Sequence, residues 1–203
     1  MMNTGMPSRR SKNKAEINLR IMQCAMKLFR KQGIESTTME SIAAEANVSK
    51  RTLYSYFPAK EAIVSGFWLH NVEQKTELLP LLLKNYPDTR SRLLAVFLDA
   101  SEGFKREPEF ARIHFTYQFQ QFGTSKQPHL HNDFGVFLTA IMNEGQQLGD
   151  IRQDISAQAL AQQIMLIFTA ICFMWFPDPK AFSLDERLEN AIHCFIDGAN
   201  NQR

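Results

Sequence analysis

The chain has 203 residues, 44% of them hydrophobic and 22% charged, with a formal net charge of +2 at neutral pH. That length suits one large domain or a smaller and a larger one, and a total charge so near neutral does not by itself suggest a nucleic-acid partner. Its three cysteines, Cys24, Cys172 and Cys194, are odd in number, lie in apolar helical patterns and lack metal-ligand spacing, so buried thiols in a reducing cytosol are expected and no metal site or cofactor is.

The charge is unevenly spread. Met1 to Gly66 holds 11 Lys+Arg against 5 Asp+Glu, a net of +6, and the remaining 12 basic and 16 acidic residues carry −4. A basic end on a mildly acidic body is the electrostatic footprint of a DNA-binding module. Within that end, SRRSKNK (Ser8 to Lys14) has too little apolar surface to offset the entropy of ordering it, and is expected to be a disordered arm. It suits a clamp on DNA and a solubilising tail equally. Polar residues follow its cations, so there is no signal-peptide pattern.

A first helix is expected from Glu16 to Gln32, with Ile17, Ile21, Ala25, Leu28 and Phe29 inward and Gly33 as its stop. Thr37 and Glu40 have capping-box spacing, so a second helix should begin near Thr37 or Thr38 and carry Ile42, Ala43 and Ala46 inward. Asn47 tolerates a left-handed backbone and can make the tight turn that follows. Ser49 is a good N-cap for a third helix, in which Leu53 and Phe57 form a buried stripe and Pro58 closes the end. Lys50, Arg51, Tyr54 and Ser55 fall on the opposite face, leaving the N-terminal half of that helix free to enter a major groove. Arg51 or Lys50 carries the donors for guanine O6 and N7, Thr52 suits a thymine methyl or a phosphate, and Tyr54 and Tyr56 suit phosphate oxygens. Lys60 adds charge beside the next helix N-terminus.

Ile21, Ala25, Leu28, Phe29, Gly33, Thr37, Thr38, Ile42, Ala43, Ala46, Val48, Ser49, Thr52, Leu53, Tyr54, Tyr56, Phe57, Lys60 and Glu61 form one unbroken block. It resembles the DNA-binding domain of the tetracycline-repressor (TetR) family of bacterial transcription regulators. The resemblance implies an all-α fold: an N-terminal three-helix domain with a helix-turn-helix over residues 1–64, and a C-terminal helical domain for ligand binding and dimerisation over 65–203. It implies that the helix from about Ser49 to Phe57 reads bases while Thr38, Tyr54, Tyr56 and Lys60 hold phosphates. Two positions depart from the family pattern. Asn47 stands where glycine is usual, and Arg51 where many members have a small residue, which leaves the operator sequence open.

Further along, a helix is expected from Lys60 to about Glu77, and prolines 80, 87, 108, 128, 177 and 179 punctuate the rest. Between them, helical periodicity marks Thr89 to Arg106, Glu109 to Phe122, Leu130 to Leu148, Ser156 to Trp175 and Leu184 to Gly198, with no stretch alternating as a strand. The phenylalanines and methionines of this body, from Phe97 to Phe168, are mostly core. By resemblance, some line a small-molecule pocket, with Phe104, Phe137, Met142 and Phe168 as apolar wall and Glu102, His114, Tyr117 and Gln118 as polar groups, which suits a small hydrophobic effector. His129 and His131, beside Pro128, read as a polar loop rather than a metal site.

The penultimate helix is apolar on more than one face and needs two neighbours. Ile167, Ile171 and Met174 from it, with Leu188, Ile192 and Phe195 from the last helix, are expected at a two-fold interface, since the resemblance implies a four-helix bundle across the dimer axis. The apolar run from Ile164 to Phe176 is short of the ~20 residues of a bilayer span, so no membrane partner is expected. These features predict a cytoplasmic homodimer that binds a palindromic operator on double-stranded DNA as a repressor released by its effector. No nucleophile, base and orienting group come together, so an enzyme is not expected. A DNA-bound architectural or cell-division factor of the same fold, or an all-helical carrier, is the alternative.

Overall fold

The computed structural model describes residues 9–121 and 133–199, and among them it is all helical, with ten helices and no strand. The chain divides within α4 into two compact units, Met1–Trp68 and Leu69–Arg203.

In the first unit, α1 spans Arg9–Gln32, α2 Met39–Glu45 and α3 Lys50–Tyr56, and α4 (Lys60–Thr76) begins. Helix α1 starts seven residues before the expected Glu16. Helical backbone therefore runs through Arg9 to Lys14, a stretch expected to be a disordered arm, and no proline interrupts it. The inward stripe is Ile21, Met22, Ala25, Met26 and Phe29, while Ile17 and Leu28 are only half-buried. Gly33, at φ 82°, ends the helix with its N–H on the Phe29 carbonyl (2.9 Å).

The cap of α2 lies one residue later than the spacing suggests. The Thr38 hydroxyl accepts from Ser41 N (3.1 Å) and Ser41 Oγ accepts from Thr38 N (3.2 Å). Thr37 is fully buried and spends its hydroxyl on the Gly33 carbonyl (2.8 Å), and the Glu40 carboxylate is taken by Lys50, so neither is left for the box. Asn47 makes the turn at φ 50°, and Ser49 caps α3 by accepting from Thr52 N (3.0 Å). Leu53 and Phe57 are buried beneath α3. Gly66 brings α4 against them: a Cβ there would sit 2.9 Å from Phe57 Cε1 and 3.3 Å from Met22 Sδ.

The second unit contains α5 (Leu79–Asn85), α6 (Thr89–Arg106), α7 (Pro108–Gln121), α8 (Asp133–Leu148), α9 (Ala157–Trp175) and α10 (Leu184–Ala199). Helix α5 was not expected. Pro80 sits in its first turn, where no N–H is needed, and the Arg92 guanidinium closes its end by donating to the carbonyls of Tyr86 (2.9 Å) and Leu83 (3.3 Å). Asp88 and Ser91 form a reciprocal cap on α6, and Ser156 caps α9. The turn from α8 to α9 uses Gly149 at φ 76° and returns Asp150 to the start of α6, where its carboxylate accepts from Thr89 N (2.7 Å) and Thr89 Oγ1 (3.0 Å).

Helix α9 packs against α7, α8 and α10, and α10 against α6 and α9. Phe97, Phe104, Phe115, Phe168 and Phe176 form a continuous cluster of rings, with centroids 4.5 Å apart for Phe97 and Phe168 and 5.4 Å for Phe104 and Phe115. Contacts of this kind are worth about 0.5–1.5 kcal/mol each beyond the area they bury. At 19 residues, α9 is long and apolar enough to cross a membrane, so its length does not exclude that reading as expected. Its apolarity has another cause: Leu160, Ile164, Phe168, Cys172 and Trp175 are buried among neighbouring helices. Of the cysteines, only Cys172 is buried, which pushes its thiol well above the usual range. Cys24 is half-buried and Cys194 exposed, against expectation, because each lies beside rather than on its helix's inward stripe.

Candidate nucleic-acid interface

Helix α3 is held from beneath by Leu53 and Phe57 and from its start by Ser49, which leaves Lys50, Arg51, Tyr54 and Ser55 exposed in one patch. Tyr54 is 49% exposed, while Tyr56 and Thr52 are half-buried. Several polar groups in the patch are engaged within the protein. Ser49 Oγ and Thr52 Oγ1 lie 2.8 Å apart, and Ser55 Oγ donates to the Thr52 carbonyl (2.7 Å). Lys50 Nζ lies 2.9 Å from Glu40 Oε1, an ion pair from α3 to α2 whose hydrogen bond holds the Glu40 carboxyl below its ordinary range. Lys60 donates to the carbonyls of Ile34 (2.7 Å) and Glu35 (3.5 Å), closing the loop between α1 and α2. Thr38 lies at the N-cap of α2, with its hydroxyl already accepting from the backbone.

Sequence reasoning missed Glu40 as a partner of Lys50, and Arg20, which donates to the Ala46 carbonyl (3.0 Å) and braces α1 against the end of α2. The first had a competing signal, since Glu40 completed a capping-box spacing; the second had none, because the contact spans 26 positions.

The groups expected to meet an effector are placed differently. Phe104, Phe137, Met142 and Phe168 are packed core, each no more than 7% exposed, while His114, Tyr117 and Gln118 lie half-buried on α7. Glu102 is exposed and pairs with Lys105. A cavity of about 310 Å³ lies instead between α8 and α9, lined by Gly135, Val136, Thr139, Ala140, Asn143, Gln158, Ala161, Gln162 and Met165. None of the expected wall residues borders it. His129 and His131 lie outside the described residues.

The residues expected between two copies also separate. Ile171, Leu188 and Ile192 are buried inside the protomer, the last two on the inward stripe of α10. Met174 is 61% exposed, and Ile167 and Phe195 are half-buried. Leu166, another of the apolar residues of α9, is 55% exposed.

Residues 21–66 match the family model described as bacterial regulatory proteins, tetR family. The matched segment is the helix-turn-helix just described, with α3 as its exposed helix. Over that segment, less than a quarter of the chain, the protein is similar to the TetR-family DNA-binding domain. YuxN, an uncharacterised HTH-type transcriptional regulator of Bacillus subtilis, is 46% identical over 44 residues, which are 22% of this chain and 15% of YuxN. The HTH-type transcriptional repressor SCO4008 of Streptomyces coelicolor is 27% identical over 143 residues, 70% of each chain. The crystal structure of FadR from Thermus thermophilus, a TetR-family repressor in complex with lauroyl-CoA, has the same fold: TM-score 0.75 at 23% identity, covering 92% of this chain and 96% of that one.

Proposed function

We propose that this protein is a TetR-family transcriptional repressor that binds a palindromic operator as a homodimer and leaves it when a small hydrophobic effector binds the second unit. The observation that carries the reading is α3, buried along Leu53 and Phe57 and open on its Arg51 and Tyr54 side, in the part of the chain that holds the positive charge. Counterions released from phosphates make such binding fall steeply with salt. Two copies about one DNA turn apart, or a multiple of it, read a palindrome that one copy alone specifies weakly. The site of action is the cytoplasm, where the DNA is.

Pairing is supported by α9, whose 19 residues include no Asp, Glu, Lys or Arg. Its outer stripe of Ala159, Gln163, Leu166, Ala170 and Met174 meets its own copy without like-charge repulsion. Ile167 of α9 and Phe195 of α10 are half-buried and available to add to this contact.

For the effector, the likeness to FadR with lauroyl-CoA supports an acyl compound. In this chain, the rings of Phe97, Phe104, Phe115 and Phe168 already fill the space among α6, α7 and α9. An acyl chain therefore enters by moving rings, and that displacement is what would couple binding to a changed spacing of the two recognition helices. The shift can be no larger than the effector's differential affinity for the two states.

The test is footprinting with purified protein, followed by titration of the protected duplex with acyl-CoAs of graded chain length. One protected palindrome, released by one range of chain lengths, is the expected result. Scattered protection overturns the operator reading, and a single palindrome untouched by every acyl compound overturns the effector alone.

A further inference from the structure

The DNA-binding unit carries a net charge of +6, yet most cations near α2 and α3 are already engaged. Lys50 is paired with Glu40, Lys27 with Glu45 at 2.8 Å, and Lys60 with two carbonyls. Arg20 donates to the Ala46 carbonyl, and Arg30 lies over the Phe67 ring at 5.5 Å. Arg51 is exposed and has no hydrogen bond, ion pair or ring contact among the described residues. It occupies the second position of α3, in the turn that on a recognition helix reaches base edges.

We propose that Arg51 sets operator specificity by donating two N–H bonds to O6 and N7 of one guanine in each half-site, while Lys50 is a brace that fixes α3 on α2. This assignment rests on the operator-binding reading above. The two neighbouring cations differ in what each must give up. For Lys50 to reach a base, it must leave the Glu40 carboxylate unpaired close to DNA phosphates, where like charges repel. Arg51 gives up only water. Their shapes differ too: a planar guanidinium matches the paired acceptors of guanine, whereas an ammonium is a point charge without that discrimination. The hydroxyls of Ser49, Thr52 and Ser55 are turned to one another and to the backbone, which leaves Arg51 as the strongest donor on the open face.

Selection of duplexes from a random pool with the full-length protein, then affinity titration of the selected operator and its single-base variants, tests the assignment. The wild type is expected to require one guanine per half-site. Arg51→Ala should bind the operator about 5- to 150-fold more weakly and accept any base at that one position. Arg51→Lys should regain affinity without regaining the guanine requirement. Lys50→Ala should keep every base preference of the wild type, and thermal melting followed by circular dichroism checks that each variant is folded. Retention of the guanine requirement by folded Arg51→Ala, its loss in folded Lys50→Ala, or an operator without a required guanine overturns this assignment alone. A wild type that selects no sequence overturns the operator reading itself.

Discussion

Gly145, in the last two turns of α8, has no room for a side chain. A methyl group built there enters the Thr89 hydroxyl by more than about 1 Å relative to ordinary contact, and lies 2.9 Å from Asp150 Oδ1 and 3.2 Å from Ile151 Cδ1. The hydroxyl cannot swing aside freely, because Thr89 is fully buried, branched at Cβ and tied to Asp150 by both its N–H and its Oγ1. Gly145→Ala therefore forces the start of α6 away from α8 or breaks a hydrogen bond to a carboxylate. Overpacking costs about 1–3 kcal/mol and the lost bond about 1.5–3, against a gain of about 1 from helix propensity. With both terms in play, a net destabilisation of about 1.5–5 kcal/mol follows, visible as a lower urea midpoint with an unchanged slope. Thr89→Ala removes the obstructing oxygen, so the double variant should be more stable than the sum of the two single changes predicts. A Gly145→Ala protein as stable as the wild type, or strictly additive with Thr89→Ala, refutes the reasoning.

At the turn of the helix-turn-helix, Asn47 holds a left-handed backbone, so Asn47→Gly should be neutral or stabilising within about 1 kcal/mol and Asn47→Ala destabilising by about 1, as measured by thermal melting. Asp88 caps α6, and the Ser91 N–H on its carboxylate holds its pKa below the ordinary range. A depressed folded pKa gives stability that is complete above the unfolded value near ~4 and is lost as pH falls through the folded value. Asp88→Asn, which keeps the acceptor without the titration, should flatten that part of the acid limb in denaturation at successive pH values. Leu166→Glu, on the outer stripe of α9, should shift the protein to monomer in analytical ultracentrifugation while leaving its helicity intact. Leu188→Ala should instead lower protomer stability by about 2–5 kcal/mol; the reverse pattern would return the interface to the buried stripe of α10.

The helix-turn-helix was legible because its determinants are local. Asn47, Ser49, Leu53, Phe57 and Pro58 lie within a dozen positions of one another, and each acts on backbone or side chains a turn or less away. The body's helices were legible for a similar reason: a 3.6-residue period survives whatever the helix packs against. Thr38 rather than Thr37 became the cap because a single buried hydroxyl bond to Gly33 and one ion pair to Lys50 decided between two equivalent spacings.

The amino-acid order by itself thus determined an all-helical chain with a basic end and an apolar body. The tertiary structure alone decided which charged and apolar groups remain available. Lys50 and Arg51 read alike as residues, and only the Glu40 carboxylate arriving from α2 separates them. Leu188 and Leu166 are the same residue type on neighbouring helices, yet one is sealed inside the protomer and the other faces out. The phenylalanines read mostly as core, but which of them touch one another is given only by their rings in contact. Periodicity reports that a helix has an inward face; it carries no information about which neighbour covers that face, because the contacts that decide this lie tens of positions apart in the chain.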